Sequence, residues 1–401
     1  MDNNIIIMKR LCCFLLVCCH GYLYEELTAE ERVLRKYLLG EATKDEGTRP
    51  TASVVLKNPT DLFVVGKKVY ASEFRANRVL VASAARTRSN ASAWVVFAER
   101  GPHCAAKKRY DCAILDGPWG LASTKGELLV ASFGSDQILS FSRKTGAFLR
   151  SIGSTDSLDS PEGIVAAAET LYAASFLDSR IVEFDLKTGS FRRTVAAGDP
   201  VDVDIESGTF VDGNAASIVA RRDLWGLAKD KTPFVSSLRG PEHLRLTTQK
   251  SLLVSSLHNQ SVIEIDLATG RLLRQDLGLF VNGPLGIAIV STPQQQRAFR
   301  HRLGKEPSGG SLLLVASYRD DDVYAVDVDT DVPDARSLKL VADDSRDAPR
   351  LRGPAAIALD PRDPQGIYLA CYESGAVLYF NLSSSFLTEE PQQLLRVNNI
   401  E

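Results

Sequence analysis

Five histidines are scattered along this 401-residue chain, and two of them, His243 and His258, have Glu242 and Asn259 as immediate neighbours. Two imidazoles and a carboxylate are the residue types that hold a divalent metal, or that serve as a general base and the group orienting it. A second acid, Glu162, follows a proline as Glu242 does, in SPEG against GPEH. Glu162, Glu242 and His243 are therefore the candidate metal ligands, and His243, His258 and Glu242 the candidate catalytic groups. No spacing signature narrows this further: the chain has no Gly-rich phosphate loop, no Gly-x-Ser-x-Gly elbow and no Cys-x-x-Cys pair. Asp327, Asp329, Asp331 and Asp334 open like a calcium loop, but Val332 and Leu338 stand where such a loop needs Gly and Glu.

A repeated unit must position these residues. From Gly117 to Arg150 four short apolar runs are separated by polar turns, which reads as a four-stranded antiparallel meander. Pro118 has no N–H to offer a ladder, so it suits the first residue of a strand. The opening GPWGLAS recurs as SPEGIVA at Ser160, GPEHLRL at Gly240, GPLGIAI at Gly283, GPAAIAL at Gly353 and, more weakly, NPTDLFV at Asn58. A second strand recurs with small residues ending at Ser72, Ser132, Ser175, Ser256, Ser317 and Cys371. Pro118 to Pro161, and Pro241 to Pro284, are each 43 residues apart, the period of a propeller blade. The fold expected is all-β, a six-bladed β-propeller preceded by a short N-terminal helix. Arg222 to Ser237 repeats WGLA and VSS, so seven blades with one truncated is the alternative. Closure needs an outer strand for the last blade, from Ala52 to Leu56 or from Gln392 to Val397.

These motifs resemble the NHL-repeat and YncE-like β-propellers, whose repeats read Gly-Pro-x-Gly-(Leu/Ile)-Ala, then a Leu-Tyr-Val-Ala/Ser strand, then Val-x-x-Phe-Asp and Thr-Gly. The resemblance covers Asn58 to Glu401. It implies architecture rather than activity, because this fold carries lactonases, lyases and binding scaffolds alike. It also implies that ligands meet one face, made by the loops entering the innermost strands and those joining second to third strands. Thr60, Trp119, Glu162, Glu242, Leu285 and Ala355 would then ring the channel mouth, with His243, His258 and Asn259 added by blade four. Gluconolactonase-like propellers carry a metal on Glu, Asn and Asp, and streptogramin B lyases use His and Glu. Glu162, Glu242, His243 and His258 match those residue types, while Leu285 and Ala355 leave half the ring apolar.

Residues 1–21 read as a signal peptide, with Lys9 and Arg10 before the apolar run Leu11 to Cys19, which is too short to span a bilayer. Residues 22–50 hold a helix, Leu27 to Leu39, and a polar linker; residues 51–401 form the propeller. Cys104 and Cys112 suit a small disulfide loop in an oxidising compartment, and Asn90, Asn259 and Asn381 begin glycosylation sequons. Cys371 takes the place of a serine in sister blades and reads as a small core residue. Ser291 to Gly310 reads as a long solvated loop, and Asp202, Asp204 and Glu206 as a solvated strand edge.

The net charge of −3, with no basic stripe, argues against a nucleic-acid partner. The expectation is a secreted, monomeric, non-enzymatic binding module without cofactor, using Trp119, Glu162, Glu242, His243, His258 and Asn259 to contact a protein, glycan or small molecule. The alternative is a propeller lyase or lactone hydrolase assisted by a divalent cation.

Overall fold

Every unit opens on a residue in the left-handed backbone region followed by proline: Asn58, Gly117, Ser160, Gly240, Gly283 and Gly353 have φ of 51°, 59°, 53°, 58°, 68° and 58°. Glycine is at ease there, which is why four of the six openings carry it. The computed structural model describes residues 50, 52–84, 94–100, 102–104, 112–203, 210–211, 232–275, 281–303, 311–328, 335–338, 340 and 351–382. The signal-like segment, the helix Leu27 to Leu39, Asn90, Asp204, Glu206, Asp329, Asp331, Asp334 and the strand alternative Gln392 to Val397 lie outside them.

After each proline the chain runs up and down as an antiparallel sheet, and six four-stranded sheets result among the described residues, the sixth completed by a strand from before the first proline. Their innermost strands are Pro59–Val65, Pro118–Ser123, Pro161–Ala167, Pro241–Leu246, Pro284–Val290 and Pro354–Leu359. Each touches the next and the sixth touches the first, so the ring closes as a six-bladed propeller. Blade three packs directly on blade four, which leaves no place for a seventh blade there. Phe234, within the WGLA-to-VSS stretch, instead bridges to Ala197 on the outer strand of blade three. Ala52–Val55 pairs with Ala376–Asn381 as the outer strand of blade six, so closure uses the N-terminal side.

A single blade cannot bury both of its faces, and the apolar side chains accordingly collect in six clusters, one in each space between neighbouring blades. The second strands Ser251–Ser256, Leu312–Ser317 and Gly366–Cys371 are buried at every residue.

Two expectations change. In blade one Pro59 pairs with Glu73, as Pro118 pairs with Ser132, so Glu73 and not Ser72 is the equivalent of the sister serines. The second is Ser291 to Gly310, where residues 293–302 form a helix, α1 (Pro293–Arg302), rather than a solvated loop. The Thr292 side chain caps it by accepting from the Gln295 N–H, Phe299 is fully buried, and Arg300 pairs with Asp327 at 2.6 Å with both side chains buried. The polar composition hid a helix that rests on blade five through Phe299, the Arg300–Asp327 ion pair and the Gln296 side chain, which donates to the Val290 carbonyl at 3.0 Å.

Candidate binding site at the channel mouth

The end of each second strand fixes the loop that leads into its own innermost strand. Ser132, Ser175, Ser256 and Ser317 accept, through Oγ, the backbone N–H of Asp116, Asp159, Arg239 and Asn282 at 2.9, 2.8, 2.8 and 3.1 Å. Glu73 does so for Lys57 at 2.6 Å, and the Cys371 thiol is met by the Arg352 backbone. The following residue, Phe74, Phe133, Phe176, Leu257, Tyr318 or Tyr372, donates its N–H to the carbonyl of the left-handed opening residue at 2.8 to 3.2 Å. Six side chains are thereby set at equivalent positions around the mouth, and five are aromatic.

Trp119 enters this ring from blade two. Its indole lies 5.1 Å from Phe74 edge-on, and 5.8 Å from Phe133 and 6.4 Å from Tyr372 at tilts of 32° and 35°. The collar continues from Phe133 to Phe176 and His258 on one side, and from Tyr372 to Tyr318 on the other. Edge-on and tilted packing sets positive ring edges against negative faces. Phe176 is buried, while Phe74, Trp119, Phe133, His258, Tyr318 and Tyr372 keep part of their surface in solvent.

The Trp119 indole also donates a hydrogen bond to the Glu242 carboxyl, which is bonded in turn to Glu162. Both carboxyls are 2% exposed, and Oε2 of each has no hydrogen-bond partner among the described residues. Burial, then the neighbouring Glu242 charge, holds Glu162 well above the usual carboxylate range; burial raises Glu242 to about 7, against the hydrogen bonds from Glu162 and Trp119. Two buried acids in contact cannot both ionise without cost, so one proton stays between them near neutral pH. Trp119, Glu162 and Glu242, picked out from sequence as the third residues of three consecutive openings, are therefore in one cluster.

His243 is not part of it. Its position in the motif is filled elsewhere by Asp61, Gly120, Gly163, Gly286 and Ala356, and it faces the next innermost strand: a Cβ on Gly120 or Gly163 would come within 2.2 or 2.1 Å of the Glu162 or Glu242 carbonyl oxygen. Asp61 spans that gap by accepting the Leu121 N–H at 2.7 Å. His243 is 1% exposed, its backbone N–H donates to Ser255 Oγ at 2.9 Å, and its Nδ1 has no hydrogen-bond partner among the described residues. Burial, then the Arg245 charge, pushes its pKa down to about 3, so the ring is neutral rather than poised near 6.5. His258 sits at the rim against Phe176, and the Asn259 side chain donates to the Ser236 carbonyl at 2.9 Å. No group of three or more His, Cys, Asp or Glu among the described residues is placed to hold a metal ion.

Thr60, Leu285 and Ala355 are buried, as expected of the ring, and Thr60 hydrogen-bonds the Pro118 carbonyl at 3.0 Å. Sequence reading missed the collar, Asp61 and Arg245. Burial raises Asp61 to about 6, opposed by the Arg245 charge and by the N–H groups of Leu121 and Leu62. The collar had a signal: in five blades its residue directly follows the small residue that ends the second strand.

The fold and site define a six-bladed β-propeller whose channel mouth holds an acid pair beneath an aromatic collar. No protein-family model and no curated protein sequence matches the chain. Among solved structures it is similar to hydrazine synthase of Kuenenia stuttgartiensis, with TM-score 0.47 and 15% identity over 82% of this chain and 97% of that one. Virginiamycin B lyase from Staphylococcus aureus gives 0.43 and 12% over 82% and 98%. A catalytically inactive form of that lyase with quinupristin gives 0.44 and 12% over 84% and 97%. Likeness this distant carries nothing about chemistry.

Proposed function

We propose that this chain is an NHL-repeat or YncE-like binding module whose channel mouth is the contact surface for a small molecule, a glycan or a group presented by a protein. The observation that carries this reading is the half-buried collar around Trp119, which offers apolar area and a polar edge over a buried acid pair. Aromatic side chains in such settings recur at recognition surfaces because they add large contact area at low entropic cost. Screening ligands by tryptophan fluorescence tests it: Trp119→Ala should weaken a mouth-binding ligand at least about tenfold, the loss of one good aromatic contact. Ligands that bind the variant as they bind the parent would remove this reading.

The second reading is a lyase or lactone hydrolase, and the protonated Glu162–Glu242 pair favours it as a source of acid. Against it weighs the burial of His243 with a neutral ring away from the pair. Turnover of a lactone or depsipeptide that disappears in Glu242→Gln would establish catalysis instead.

We place the module in the secretory pathway, on the signal-like residues 1–21 and on the backbone pairing that sets Cys104 opposite Cys112. On protein recovered from the medium, neither cysteine should be alkylated without reductant. Alkylation of both would contradict an oxidising compartment.

A further inference from the structure

We propose that the acid pair under the collar is the seat of a primary ammonium carried on an apolar stem, an alkylamine either free or as the lysyl side chain of a partner. This rests on the mouth being a binding surface and names what that surface takes. The six innermost strands carry three buried acids, Asp61, Glu162 and Glu242, and a single Lys or Arg, Arg245, among the described residues. Arg245 acts on Asp61 and His243, and no cation among the described residues lowers either Glu162 or Glu242. Among the described residues the pair therefore has no countercharge, and Oε2 of each acid has no donor. Buried polar atoms without partners are rare and call for an explanation.

An ammonium supplies both missing things: one positive charge and three N–H donors on a compact head. A quaternary ammonium has the charge without donors, an alcohol has one donor without the charge, and among the described residues no third His, Cys, Asp or Glu joins the two carboxyls to hold a metal ion. The approach passes Trp119, whose indole already covers Glu242 and whose ring neighbours Phe74, Phe133 and Tyr372 give an alkyl stem apolar contact and a cation the negative faces of rings. Trp119 must shift for the head to reach the pair, so its fluorescence reports the event.

The test titrates the full chain with n-pentylamine and n-pentanol, followed by tryptophan fluorescence and calorimetry. The amine should bind saturably and at least about tenfold more tightly than the alcohol, as a charge-assisted contact requires. Glu162→Gln with Glu242→Gln should erase that preference while the circular dichroism spectrum stays that of the parent; the amine-against-alcohol comparison in the parent needs no variant. Spermidine and Nα-acetyl-lysinamide separate the sources, a free polyamine or a protein lysine, and saturable binding of either supports the proposal. Equal binding of pentylamine and pentanol, or a preference that survives the double substitution, overturns it. A neutral ligand that quenches Trp119 without competition from pentylamine sinks this inference alone. A Trp119→Ala chain that binds every ligand as the parent does removes the mouth reading with it.

Discussion

Glu162 and Glu242 illustrate how burial, rather than residue type, sets the state of an acid. Glu242 is raised from 4.5 to about 7, so the unfolded chain ionises it from about pH 4.5 while the folded chain holds its proton to about pH 7. A raised carboxyl loses stability as pH rises through that window, because there the folded state binds more protons than the unfolded one. Glu242→Gln lacks the effect: its denaturation free energy relative to the parent should grow from pH 4.5 to 7 by on the order of 3 kcal/mol, and go on growing above pH 7 because Glu162 has lost the neighbour whose charge holds its own proton. A constant difference across that range would show that the carboxyl is not buried as described. Cys371 makes the same point for a thiol, since burial raises it to about 12 where a serine would only hydrogen-bond. Its structural part was legible from its place among the sister serines; its pKa was not, because desolvation is a property of the packed state.

At the scale of elements, α1 shows what composition conceals. The run PQQQRAFRHR is polar enough to read as a loop, yet Thr292 caps it, Phe299 is fully buried and Arg300 meets Asp327 out of solvent. Breaking a buried ion pair by removing one partner is strongly destabilising, so Arg300→Ala should cost about 3–5 kcal/mol in chemical denaturation. A loss within a few tenths of 1 kcal/mol, the worth of an exposed pair, would show that α1 is not seated on blade five. The second strands and the residues after them repeat well enough to read in five blades. Blade one escaped because its second strand ends one residue later, at Glu73, which hid Phe74 as a collar member. A one-residue difference in where a strand ends cannot be seen without its pairing partner.

For the whole molecule, closure depends on Ala52–Val55, the outer strand of blade six, and on Leu56, which packs in the cluster between blades six and one. A chain beginning at residue 58 should lose at least about 2–5 kcal/mol, the range for deleting one large core side chain, and expose the edge of Ala376–Asn381 to association. Thermal melting and light scattering read both effects; a melting temperature equal to the parent's would mean that another segment closes the ring. The sequence alone determined the blade and its period, because proline-marked openings and alternating apolar strands are local, repeated and needed in every unit; that there are six blades and not seven was decided by the packing of blade three directly on blade four. It also singled out Trp119, Glu162 and Glu242, since equivalent positions in a closed ring must converge on its axis. Only the tertiary structure decided that His243 turns away from Glu242, that Asp61 and Arg245 act on one another from blades one and four, and that Trp119, packed among Phe74 and Phe133, meets the Glu242 carboxyl. Those outcomes turn on which face of a strand a residue presents and on what stands across the axis, and neither is written in the spacing of a single blade.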